Sequence, residues 1–99
     1  MTHDDNVVDS YVIGDRRVVL VDVDITSLDV NGFENWDPAQ YESGSVQGCW
    51  PVGRESGVRQ IIRWDEQDSA RLHVTKANGN LENAGADVGR VRMRAVFDR

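Results

Sequence analysis

The side chains of this chain that could do chemistry are few and scattered. Its histidines are His3, near the start, and His73, and its one cysteine is Cys49. An enzyme must bring nucleophile, base and electrophile together. Cys49 stands between Gly48 and Trp50, with no histidine nearby in sequence and no helix start to lower its pKa, so it reads as a small packed hydrophobe. His73 alternates with Leu72 and Val74 and falls on the polar face of a strand, where a surface or interface role outweighs catalysis. Metal chemistry would need clustered ligands. Asp22 and Asp24 put two carboxylates on one strand face, and Asp29, Asn31 and Gly32 share residue types with a calcium loop, but the oxygen ladder and closing glutamate are missing. A copper chelate through a free terminal amine and His3 in "MTH" has its spacing shifted once Met1 is removed before the small Thr2. "GRESG" at 53–57 neither follows a long buried strand nor opens a helix, so it is a turn and not a phosphate cradle. The expectation is no catalytic residue, no cofactor and no metal.

What remains is recognition. Arg90, Arg92 and Arg94 occupy every second position of "GRVRMRAVF", yet the chain carries a formal net charge of -6, which opposes approach to a phosphate backbone. Nucleic acid is therefore not an expected partner. Asp22 and Asp24 share the i, i+2 spacing of Arg92 and Arg94, so two neighbouring strands would form a cross-strand charge ladder. A slip of one residue would drive the arginines into the core, so the ladder would fix register. The other reading of the row is a stripe facing a partner. Trp36, Trp50 and Trp64, with Phe33, Tyr11, Tyr41 and Phe97, are a large apolar load, each able to bury about 150–250 Å². Trp64 is expected in the core. Trp36 and Trp50 lie in loop or edge segments and either pack under a loop or anchor a partner. Trp36, Tyr41 and Trp50 are the candidate anchors, with His73, Arg90, Arg92 and Arg94 as candidate polar contacts.

The elements that would position these residues follow from composition and period. At 99 residues the chain is one domain with a thin core, burying about 60–65% of its extended surface. With 39% hydrophobic and 28% charged residues it reads as folded. A single cysteine excludes an internal disulfide. No apolar run is long enough to cross a membrane, and "MTHDDNVVDS" does not read as a signal peptide. Twelve Asp and five Glu stand against ten Arg and one lysine, a balance that suits solvation in concentrated salt or a GC-rich genome. The pattern is mostly period two. "YVIGDRRVVLVDVDIT" predicts a hairpin turning at Gly14–Asp15, with Val19, Val21, Val23 and Ile25 facing in and Asp22, Asp24 and Thr26 facing out. Further strands are expected at 57–64, 70–75 and in "VQGCWPV", where Pro51 marks an edge or irregularity. The last strand turns Val91, Met93, Ala95 and Phe97 inward. Asp37 as cap, Pro38 at the first helical position and Gly44 as terminator predict one short helical turn, and "KANGNLENAGADVG" an exposed excursion. The expected fold class is all-β: an antiparallel β-sandwich or small barrel, with the sandwich and a jelly-roll-like topology the reading chosen, residues 1–6 a flexible tail and 7–99 a single domain.

The order of these pieces resembles a family. "RRVVLVDVDIT", a connection with "DPAQY", then "VRQIIRWDEQDSARLHV" and "GADVGRVRMRAV" are similar to small structural proteins of tailed-virus particles, especially those of haloarchaea. The likeness runs from about Arg16 to Val96 and rests on strand patterns, and it departs at "QGCWPVGRESG". It implies a β-sandwich that coats or joins the virion: a capsid decoration, turret or other head-associated subunit, assembled in the host cytoplasm. Its partners would be the major capsid protein, neighbouring structural subunits and further copies of itself, with neither nucleic acid nor membrane bound. A tail or head–tail connector subunit is the alternative within the virion. Outside it stands a host cytoplasmic module binding carbohydrate or peptide.

Overall fold

Alternation at period two produces seven strands in the computed structural model, which describes residues 2–65, 67–68 and 70–98. They are β1 (His3–Ile13), β2 (Arg16–Ile25), β3 (Phe33–Asn35), β4 (Val46–Arg54), β5 (Ile61–Trp64), β6 (Arg71–Thr75) and β7 (Gly89–Asp98). One sheet has the order β1-β2-β7-β4 and the other β3-β6-β5, with every pairing antiparallel. The pairs nest: β2 lies against β7, inside that β3 lies against β6, and β4 and β5 end up on the facing edges of the two sheets. Nested antiparallel pairs of this kind are the ordering of a jelly-roll-like sandwich, and the all-β sandwich expected from the sequence is the fold found.

The interior follows from the alternation. Val19, Val21, Val23 and Ile25 of β2 and Val91, Met93, Ala95 and Phe97 of β7 are all buried, and Leu72 and Val74 of β6 close over them. At about 25 cal/mol per Å² of apolar surface removed from water, this double layer is the main stabilising term. Ile13 pairs with Arg16 across a two-residue turn in which Gly14 alone has positive φ, at 59°, the pattern of a type II′ hairpin. Pro51 sits where the sequence placed it, on an outer strand, between register shifts that bend β4.

Several boundaries differ from the expectation, and the strand expected over 57–64 is confined to Ile61–Trp64. Residues 3–6 are not a tail but the start of β1, with His3 opposite Ile25 and Asn6 opposite Asp22, and the Thr2 carbonyl accepts from the Thr26 and Ser27 amides, each at 3.1 Å. In this segment the side chains of His3 and Asp5 have partners inside the protein, described below. The helical turn is a 3-10 turn, Pro38–Tyr41, capped as expected by Asp37, whose carboxylate accepts from the Ala39 amide at 2.9 Å. Glu42, in extended conformation, ends it, and Gly44 serves another purpose: a Cβ there would lie 1.7 Å from the Asp98 carbonyl oxygen. The segment after β6 is mostly exposed, as expected, and is tied to the loop before β3, with the Gly32 amide donating to the Glu82 carbonyl at 2.8 Å and the Gly85 amide to the Leu28 carbonyl at 2.7 Å.

Candidate interaction surfaces

The arginine row is the outward face of β7. Arg92 lies opposite Asp22 and grips it with two hydrogen bonds, Nε to Oδ1 at 2.8 Å and Nη2 to Oδ2 at 3.2 Å. That contact holds the Asp22 carboxyl below its ordinary pKa and raises Arg92. Arg90 lies opposite Asp24, but Arg94 faces Leu20 on one side and Trp50 on the other. The bonded rung is therefore Asp22–Arg92, with Asp24 opposite Arg90 in register, one rung away from the Arg92 and Arg94 pairing expected. Antiparallel strands count in opposite directions, so the rung that follows Asp22–Arg92 toward Asp24 leads back to Arg90. Arg94 instead sets its guanidinium 5.7 Å from the centre of the Trp50 ring.

Trp36 is buried and so presents no anchor, while Tyr41 is half-buried beside it. Trp36 is 2% exposed, and its indole N–H donates to Asp5 Oδ2 at 3.1 Å and to the Tyr41 hydroxyl at 3.2 Å. Tyr41 donates to the same Asp5 carboxylate, and burial together with that bond pushes its phenol pKa up. Beside them His3 is held between two acids, Nδ1 against Glu34 Oε2 and Nε2 3.5 Å from Asp5 Oδ1. Glu34 is fully buried and also accepts from the Thr2 hydroxyl and, at 2.9 Å, from the Asp29 amide. A buried carboxylate is tolerable only with such donors. The Glu34 bond, partly offset by burial, raises the His3 pKa. This chain of carboxylate, imidazole and carboxylate ties the start of β1 to β3. Sequence reasoning missed His3, Asp5 and Glu34 as a unit. The available signal was that Glu34 shares the parity of Trp36 and so faces in wherever Trp36 does. The Met1 amine of the copper reading lies outside the described residues, and among those residues no group of His, Cys, Asp and Glu is placed to hold a metal ion.

Trp50 and His73 do come together. They line one cleft of about 670 Å³ between the edges of the two sheets, with Phe33, Arg63, Trp64 and Arg71. His73 stands edge-on to Phe33, ring centres 4.8 Å apart, and the Arg71 guanidinium lies 3.9 Å from the centre of the Phe33 ring. Arg71 also donates from Nε to Asp65 at 2.9 Å, which lowers the Asp65 pKa. Burial, and then the charge of Arg63, holds the His73 pKa below its ordinary value. Trp50 rests on Gly48, where a Cβ would come within 2.4 Å of the indole, and remains 43% exposed. Cys49 also borders the cleft, but burial pushes its thiol up to about 12, so it is not a nucleophile at neutral pH. A second cleft of about 400 Å³ shares Pro51 and continues past Arg54, Ile61 and Ile62, so the opening runs along the whole seam between β4 and β5.

Most large apolar side chains left outside the core lie in two places, with Val30 and Leu81 exposed apart from them. Val7, Val8, Val12 and Ile13 are exposed on β1, and Trp50, Val52 and Ile61 on the seam. Fold and surface together define a small antiparallel β-sandwich with one open seam and one free outer strand. No family model matches the chain, and neither the curated proteins nor the solved structures contain a match.

Proposed function

We propose that this chain is a non-enzymatic structural subunit of a tailed-virus particle, acting by protein–protein contacts on the head as a capsid decoration, turret or similar subunit. The reading joins the strand-pattern resemblance to one observation: seven of the nine exposed large apolar side chains lie on two sheet edges, β1 and the β4–β5 seam, Val30 and Leu81 being the others. Edges carrying apolar side chains are where strands recruit other chains. A tail or head–tail connector subunit would use the same edges. The decisive experiment is purification of particles through a density gradient. The protein is expected to travel with them at a fixed copy number, and its absence from particles overturns the reading.

A ligand-binding module is the second reading, favoured by the cleft that joins Trp50, His73, Arg63 and Arg71. An aromatic wall beside cationic side chains suits an acidic peptide or a sugar. Trp36, buried, would take no part. Glycan or peptide binding lost in Trp50→Ala would favour this module over the assembly subunit.

A further inference from the structure

We infer that the protein assembles head to tail with further copies of itself, the free edge of β1 in one copy docking along the β4–β5 seam of the next. The inference rests on the assembly reading above and names the partner.

Charge decides the pairing. Residues 1–45 hold ten acidic and two basic side chains, whereas residues 46–99 hold seven acidic and nine basic. The stretch of β1 that is free to dock carries Asp9, with Asp4 and Asp5 just before it, and no lysine or arginine, while Arg54, Arg63 and Arg71 border the seam, Arg71 already bonded to Asp65. Pairing β1 with β1 of a second copy would set acids against acids, and pairing seam with seam would set arginines against arginines. Like charges placed opposite each other on neighbouring strands are destabilising. Only the crossed pairing, acidic edge to basic seam, brings unlike charges together.

Geometry permits it. Among the described residues β1 pairs only with β2, and its first residues are occupied by His3 and Asp5 contacts, so the free stretch is 7–13. At about 3.4 Å per residue that stretch spans roughly 24 Å, within the roughly 30 Å of β4. β1 and β4 are the two outer strands of one four-stranded sheet, so one copy presents both surfaces at once without competition. Val8, Val12 and Ile13 would supply the apolar centre, meeting Trp50, Val52 and Ile61, inside a charged rim. Such a contact uses two different surfaces, so it propagates into a ring or a filament and does not stop at a dimer.

The test exploits that asymmetry. One variant, Val12→Lys with Ile13→Lys, spoils the strand edge, and a second, Trp50→Glu with Arg63→Glu, spoils the seam. All four positions are exposed, and circular dichroism confirms that each variant is folded. In sedimentation velocity the unaltered protein is expected to form species larger than a dimer. Each variant alone should be monomeric, its association weakened on the order of a hundredfold. Mixed one to one, the variants should form a dimer and nothing larger, because each retains the surface the other has lost. A mixture that stays monomeric, or a variant that still self-associates, overturns the head-to-tail pairing. A monomeric unaltered protein that nonetheless travels with particles overturns this inference and leaves the proposed function standing. A head-to-tail oligomer absent from particles does the reverse.

Discussion

Protonating His3 places a positive charge between Glu34 and Asp5, whereas protonating His73 places one in a desolvated position near Arg63. The two histidines therefore act on stability with opposite sign. The raised pKa of His3 gives stability that is fully present below the ordinary value of 6.5 and is lost as pH rises through the folded-state pKa above it. The lowered pKa of His73 gives stability present above 6.5 and lost as pH falls through the folded-state pKa below it. Imidazole proton signals followed by NMR should titrate above 6.5 for one ring and below it for the other. Urea denaturation of His3→Gln should lose the alkaline-side decline and keep the acid-side one. Glu34 is the sharper target, because its removal strands the Thr2 hydroxyl, His3 and the Asp29 amide at once. Glu34→Ala should cost about 3 kcal/mol of unfolding free energy in the same measurement. None of this chemistry was legible in residue types alone. Trp36 in a loop segment looks the same from sequence whether it is capped by Asp5 or exposed, because the cap comes from a strand 31 residues away. Trp50 could be placed correctly because the neighbouring Pro51 already marked an outer strand.

Between elements, the Asp22–Arg92 contact sets which residues of β2 and β7 face each other. A double-mutant cycle on Asp22 and Arg92, read by thermal denaturation, should show favourable coupling, and the same cycle on the diagonal pair Asp24 and Arg92 should show much less. Equal coupling would mean that the charges act only as a diffuse field. Alternation in the sequence was enough to place most of the strands and to say which side chains face in, since a buried face imposes period two directly. Matching Asp and Arg spacing even pointed to β2 and β7 as neighbours. Register did not follow, because an i, i+2 spacing is common to every strand and fixes no rung. The start of β1 was missed for a related reason. "HDDN" has no apolar alternation, and its strand character comes from the backbone of β2 and from polar side chains already spoken for.

For the whole molecule, the net charge of -6 is unevenly spread, with most of the excess acid in residues 1–45. Self-repulsion there opposes folding, and salt screens it over a Debye length of about 3 Å at 1 M. The melting temperature should rise between low and molar potassium chloride, and a fall would mean that attractive pairs such as Asp22–Arg92 outweigh the repulsion. The sheet order was legible only as a class, because nested pairs leave no local trace. Nesting also has a consequence in time. β1 and β2 can close their hairpin as soon as they leave the ribosome, but the other neighbour of β2 is β7, made after the other six described strands, with Arg16 waiting for Asp98 and Ile25 for Gly89. Until then a valine-rich strand has one side open, the situation in which nascent β proteins aggregate. Asp22 and Asp24 alternate through that strand, so every nascent copy repels another at the same edge. The carboxylates that later hold β7 in register thus guard its place while the rest of the chain is being synthesised.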